Sequence, residues 1–251
     1  MNAIAVRDLG VRYNLNLTRR NTLRETFFKA VQGRWRHSEH FWALKNVSFD
    51  VEQGDILGIV GRNGSGKSTL LMVIAGILQP DAGYVRSNGR VSTLLTLGAG
   101  VDRELTGRDN IYLQGAFLGL GKKEIDRKIG DIIDFSELDK FVDVPLRQYS
   151  AGMIQRLSFS VAVNIEPDIL LIDEVLEVGD AAFRQKCRVR MKELIGKARA
   201  ILLVSHSMET VQQLCNKALW LHQGETLALG TSREVVSSYL AAMKTLGTTN
   251  P

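Results

Sequence analysis

Residues 56–69 read Ile-Leu-Gly-Ile-Val-Gly-Arg-Asn-Gly-Ser-Gly-Lys-Ser-Thr. The apolar run Ile56–Val60 has the length of a buried strand, and a helical pattern opens at Lys67 and runs to Ala75. Between them, Gly61 to Ser68 fits the GxxxxGK[ST] pattern in the strand–turn–helix context that the pattern requires. Each residue type has a chemical reason. Gly61, Gly64 and Gly66 let backbone N–H groups turn inward around a phosphate with no Cβ in the way. Arg62, Asn63 and Ser65 complete the cradle, and the helix N-terminus adds its partial positive charge. Lys67 is placed to reach the β- and γ-phosphates of a nucleoside triphosphate, the Ser68 hydroxyl to ligate magnesium, and Thr69 to add a further donor.

A second stretch supports the first. Ile169–Ile172 is a buried strand ending in two acids, Asp173 and Glu174. Asp173, at the carboxyl end of that strand, is placed to hold magnesium, and Glu174 to orient and polarise an attacking water. A strand with a phosphate loop and a strand with paired acids together predict phosphoryl chemistry on a nucleoside triphosphate with magnesium.

Working outward, Ala3–Tyr13 and Trp42–Val51 alternate apolar and polar residues and read as strands. Gly89–Leu95, Ala200–Val204, Ala218–His222 and Glu225–Leu229 are further strands, the last two a hairpin across Gly224. Helical patterns cover Asn110–Gly119, Lys122–Phe135, Ile154–Asn164, Phe183–Ile195, Met208–Asn216 and Ser232–Leu246. Buried strands alternating with helices predict an α/β fold on a mainly parallel sheet, with a small antiparallel β-subdomain from the first two strands.

The chain has 251 residues, 45% hydrophobic and 24% charged, which suits one domain with a sizeable core. No run of eighteen apolar residues suggests a membrane span, and Met1–Leu9 lacks the apolar core of a signal peptide. Cys187 and Cys215 form no CxxC pair, which suggests a reduced, cytosolic protein. Of the net charge of +5, much comes from a basic insert, residues 14–41. Six bases there, Arg19, Arg20, Arg24, Lys29, Arg34 and Arg36, face two acids. Leu23, Phe27, Ala30, Val31 and Trp35 recur at helical spacing, so 22–35 reads as an amphipathic helix suited to a phosphate-rich neighbour such as anionic lipid.

A third motif is the distinguishing one: Tyr149-Ser150-Ala151-Gly152-Met153, upstream of the acidic strand and opening a helix. A serine and small residues at a helix N-terminus offer a hydroxyl and free N–H groups to an anion. With this motif the sequence resembles the nucleotide-binding domains of ABC transporters over nearly its whole length. Ser150 and Gly152 match the family's LSGGQ pattern, while Tyr149, Ala151 and Met153 depart from it. The resemblance implies a P-loop NTPase fold: a RecA-like core, an N-terminal antiparallel β-subdomain and an inserted helical subdomain, about 101–165. It implies that Ser150, Ala151 and Gly152 meet the γ-phosphate of ATP held by a second copy. His206 matches the switch histidine that contacts the γ-phosphate, and Asp180 ends the loop that crosses the dimer interface. Tyr13 matches the aromatic that stacks on adenine, with Trp42 as its rival. The family's glutamine after the strand Gly89–Leu95 is missing, and Thr96 is the nearest polar residue.

The strings Leu97-Gly98-Ala99-Gly100, Leu105-Thr106-Gly107-Arg108-Asp109-Asn110-Ile111, Tyr149-Ser150-Ala151-Gly152-Met153 and Asp173-Glu174-Val175-Leu176-Glu177-Val178-Gly179-Asp180 look like the ATPases of polysaccharide exporters. That likeness implies a homodimer working with a transmembrane permease dimer on a lipid-linked glycan such as O-antigen. It places the chain peripherally at the cytoplasmic face of the inner membrane, with no nucleic acid partner. Some members carry a C-terminal sugar-binding domain, and none is expected before Pro251. A soluble ATPase of translation or DNA maintenance is disfavoured, since such members carry paired cassettes or long coiled coils.

Overall fold

The computed structural model describes residues 2–14, 40–93, 100–173 and 179–247. The basic helix expected at 22–35, Thr96 and Glu174 lie outside the described residues.

Two sheets face each other across one helix. The first is antiparallel, order β2-β1-β4, built from β1 (Asn2–Asn14), β2 (His40–Glu52) and β4 (Ala82–Ser87). The second has the order β5-β6-β7-β3-β8-β9. Its strands are β3 (Ile56–Val60), β5 (Val91–Thr93), β6 (Ile169–Asp173), β7 (Ala200–Val204), β8 (Lys217–His222) and β9 (Glu225–Thr231). Its pairs are parallel from β5 to β8, and β9 returns antiparallel to β8. Helix α1 (Lys67–Ile74) lies between the sheets, with Leu70, Leu71, Val73 and Ile74 buried among Ile4, Val6, Leu44, Leu57 and Ile59. Burying a leucine side chain fully contributes about 1.5–3 kcal/mol. Leu70 and Leu71, both fully buried, therefore anchor the helix that begins at the phosphate loop.

The outer face of the large sheet is covered by α5 (Ala181–Lys197), α6 (Met208–Leu214) and α7 (Ser232–Gly247). A third cluster, Ile111 to Ile165, is the helical subdomain of α2 (Gly107–Phe117), α3 (Lys122–Ser136) and α4 (Ala151–Val163). Helix α4 joins both clusters: Leu157 and Val161 pack into the subdomain, Phe159, Ala162 and Val163 onto the sheet. Arg156 on α4 reinforces the join, reaching Glu137 and Asp180 while lying 4.8 Å over the Phe183 ring.

Several boundaries differ from the sequence reading. Helix α2 begins at Gly107 rather than Asn110, because Thr106 and Asp109 form a reciprocal capping box. Helix α4 begins at Ala151 rather than Ile154, because Ser150 accepts a hydrogen bond from Met153 N. The strand expected over Gly89–Leu95 is described as Val91–Thr93. Strand β4 has no counterpart in the sequence reading: nearly every residue in it is exposed, so it carries no apolar alternation. The cysteines are free and buried, and burial pushes their thiols up, to about 11 for Cys187 and about 12 for Cys215. Reactivity needs the thiolate, so neither is a reactive thiol at neutral pH.

Candidate active site

The carboxyl ends of β3, β6 and β7 lie side by side, and Asp173, Val204 and the loop after β3 line one cleft. This is where an open parallel sheet gathers a ligand site. The cleft is a cavity of about 430 Å³. It is lined by the loop Asn63–Thr69, by Asp173 and Val204 at their strand ends, by His206, and by Tyr13, Phe41 and Ala43.

Gly66 caps α1 in the left-handed region, φ 104°, with its Cα against β2: a Cβ there would stand 2.6 Å from the Ala43 carbonyl oxygen. Only glycine satisfies both demands. Lys67 is 7% exposed, and its Nζ donates to the carbonyls of Gly61 (2.8 Å) and Arg62 (3.1 Å). Its ammonium thus stands over the phosphate loop, at the positive end of α1. The Arg62 side chain is exposed, and Arg62 and Gly61 meet Lys67 through their carbonyls without lining the cavity.

Asp173 ends β6 in register with Val204 of β7, two residues before His206. The turn carrying His206 is fixed on both sides. Ser205 is buried and its Oγ accepts from Ser207 N, while Ser207 Oγ caps α6 by accepting from Thr210 N. Carboxylate and hydroxyl oxygens suit a hard cation. Asp173 and the Ser68 hydroxyl, both on this cavity beside the Lys67 ammonium, make a donor set that fits a magnesium nucleotide.

The structure puts the expected Tyr13 on the cavity and adds Phe41, while Trp42 lies off it. Tyr13 pairs in register with Phe41, and both line the cavity. Trp42 pairs with Arg12, whose guanidinium lies 5.6 Å over its ring, and is not part of the lining. The period of two along β2 explains this: Phe41 and Ala43 share one face and Trp42 takes the other. That alternation is the signal that points to Phe41.

Ser150, Ala151 and Gly152 are exposed at the start of α4 and do not line their own chain's cavity. Tyr149 belongs to the helical cluster instead: it is 8% exposed and its hydroxyl donates to Phe141 O at 2.6 Å. Asp180 also lies off the cavity. It caps α5 by accepting from Phe183 N, holds Arg156, and the Phe183 amide keeps its carboxyl below the usual range.

Residues 44–177 match the family model described as ABC transporter. The chain is 43% identical over 216 residues to an O-antigen export system ATP-binding protein of Klebsiella pneumoniae, covering 86% of each chain. The chain belongs to the ABC transporter family. This ABC ATPase is also 47% identical over 199 residues to an ABC transporter protein of Aeromonas salmonicida, covering 79% of the chain and 65% of that protein. Against a teichoic acids export ATP-binding protein of Enterococcus faecalis it is 44% identical over 229 residues, covering 91% of the chain and 50% of that protein. The chain thus spans most of the first relative, and only about half to two thirds of the other two. Its fold matches a solved ATP-binding subunit of an ABC transporter with a TM-score of 0.68, at 23% identity over 94% of this chain and 93% of that one. It matches a dimeric ATP-binding cassette in a post-hydrolysis state, bound to ADP and Pi, with a TM-score of 0.65 at 19% identity, over 92% and 99% of the two chains.

Proposed function

We propose that this ABC ATPase powers the export of a lipid-linked polysaccharide, such as O-antigen, through a separate membrane permease. The carrying observation is the 43% identity, over 86% of both chains, to an ATP-binding protein of O-antigen export. Among the described residues no helix is long and apolar enough to cross a membrane. The path for the glycan therefore falls to a partner, and this chain sits peripherally at the cytoplasmic membrane face.

Within the site, Lys67 binds the β- and γ-phosphates and the inward amides of residues 61–69 wrap them. Ser68 and Asp173 would hold magnesium, which when bound neutralises charge building on the phosphates. Glu174, the next residue after Asp173, orients the attacking water and accepts its proton, and His206 contacts the γ-phosphate. The exposed amides and hydroxyl at Ser150–Gly152 reach no phosphate in their own chain. They complete the site of a second copy, in an isologous dimer with ATP at the joint. Asp180, at the head of α5, lies at that joint and holds Arg156 of α4, the helix that Ser150 caps. Closing the dimer excludes water, and hydrolysis reopens it and drives the permease.

Phe41 and Tyr13 stack on the base. Base–aromatic stacking is worth about 1–3 kcal/mol, so Phe41→Ala is expected to weaken ATP binding about tenfold. Trp42→Ala leaves affinity unchanged. Titration with a fluorescent ATP analogue checks both, and the reverse order of effects removes the assignment.

The function itself is tested by deleting the gene in its host. Lipid-linked glycan should accumulate inside while surface glycan disappears, and the wild-type gene should restore it. Unaltered surface glycan overturns the export reading and leaves the ATPase standing.

A further inference from the structure

The phosphate loop is held from behind by a distant part of the chain. The two-residue turn between β8 and β9 is Gln223–Gly224, with φ of 48° and 83°. Positive φ at both positions is the hairpin geometry whose twist matches its strands. Gly224 N donates to Ser65 O of the phosphate loop at 3.1 Å, and Gly224 O accepts from Lys45 N of β2 at 2.8 Å.

The packing leaves no room for a side chain. A Cβ on Gly224 would stand 2.7 Å from the Ala43 carbonyl oxygen, and a Cβ on Gly66 would stand 2.6 Å from that same oxygen. A Cβ on Gly61 would stand 2.3 Å from the carbonyl oxygen of Leu221, which leads into the turn. One β2 carbonyl is therefore pinched between a glycine of the phosphate loop and a glycine of the hairpin. Ala43 and Ser65, the two residues joined this way, both line the cavity.

We propose that Gly224 is a positioning residue for nucleotide binding, seating the phosphate loop and the β2 rim against each other through backbone contact alone. The inference rests on the reading of the cavity as the ATP site. A cradle of backbone amides works only when each points at its phosphate oxygen, so a shift of the Ser65 segment loses several hydrogen bonds together. A Cβ at position 224 must push away β2, the loop or the turn, because the atom it meets is backbone. By linkage, nucleotide that orders the loop must also order this junction.

The test compares Gly224→Ala with Gly54→Ala. Gly54 has φ 91°, so alanine is strained there too, but its Cβ would meet nothing within 4 Å and its amide bonds to Arg199 O, away from the loop. Both variants and the wild type are titrated with a fluorescent ATP analogue and magnesium, and amide exchange of the wild type is followed with and without Mg·ATP. Since losing even one amide hydrogen bond to a charged phosphate weakens binding about ten- to a hundredfold, Gly224→Ala is expected to raise the dissociation constant by that factor. Gly54→Ala should match the wild type in affinity, although both variants melt earlier. Nucleotide should slow exchange at the Lys45 and Gly224 amides. Wild-type affinity in Gly224→Ala, or equal weakening in both variants, overturns the proposal. If Gly224→Ala does not fold, the exchange measurement decides: unprotected Lys45 and Gly224 amides overturn it. Failure of the wild type to bind Mg·ATP is a separate result that removes the ATP reading and this inference with it.

Discussion

Replacing Lys67 by methionine should abolish useful ATP binding while leaving the nucleotide-free protein at least as heat-stable as before. The two halves of this result have one cause. Lys67 is the first residue of α1 and is almost fully buried, with its ammonium over the carbonyls of Gly61 and Arg62. A cation at a helix N-terminus opposes the helix dipole, and no acidic residue stands in that first turn to offset it. Without nucleotide, the protein therefore holds a positive charge at the end of the helix that disfavours it. An arriving phosphate reverses the sign of that interaction. Methionine keeps most of the length of the side chain and its unbranched shape, and removes both the charge and the unfavourable dipole interaction. Truncating one partner of a buried, hydrogen-bonded charge pair costs about 2–5 kcal/mol, so ATP affinity should fall about thirty- to several-thousandfold. Nucleotide titration and thermal melting of the free protein measure the two effects. Wild-type ATP affinity in the variant would show that the ammonium does not meet the phosphates.

Much of this fold is legible as periodicity. The runs Ile56–Val60, Ile169–Ile172 and Ala200–Val204 are apolar at nearly every position because both faces of a parallel sheet are covered. What periodicity cannot mark is an element whose faces are not buried. Strand β4, Ala82–Ser87, exposes most of its side chains and is held to β1 by backbone pairing. Backbone pairing leaves no trace in side-chain type. The starts of α2 and α4 lie ahead of their apolar patterns for a related reason. Gly107, Arg108 and Asp109 open α2, and Ala151 and Gly152 open α4, with no large apolar residue among them, and the residues that define the ends are caps, Thr106 with Asp109 and Ser150. The spacing of Thr106 and Asp109 is itself a capping signal, and it marks the true start of α2 where an apolar stripe does not.

In the site, the loop, Asp173 and His206 were expected together, and the structure brings them to one cavity because the strands carrying them end along one edge of the sheet. The aromatic rim is half legible. Choosing between Tyr13 and Trp42 requires the facing of β2, which the alternation Phe41–Trp42–Ala43 encodes once the strand is known to cover the loop. Gly224 carries no signal of its own beyond marking a hairpin, since its contacts join segments far apart in sequence. Ser150 and Gly152 differ in kind. Their expected ligand belongs to another copy, so no reading of one chain could bring them to a phosphate.

The proposed division of the site between copies makes Glu174→Gln the sharpest functional test. Asp173 closes β6 on the cavity wall, and Glu174 follows it directly in the chain. Glutamine keeps the size of the side chain and its capacity to accept a hydrogen bond from water, but it cannot take up a proton. Binding uses Lys67, Ser68 and the loop amides, none of which the substitution touches, so affinity for Mg·ATP should remain near wild type. Turnover should fall by about 10²–10⁴, the usual contribution of a positioned general base. With hydrolysis blocked and binding intact, the ATP-bound pair has no route to reopen. A dimer should therefore accumulate on a sizing column in Mg·ATP and dissolve when nucleotide is removed. Adding Ser150→Phe should prevent that dimer without weakening binding to the separate chains, because the bulk falls on the exposed cap of α4, outside each chain's own cavity. Normal turnover in Glu174→Gln would give the base to another residue, and a dimer that survives Ser150→Phe would take the start of α4 out of the shared site.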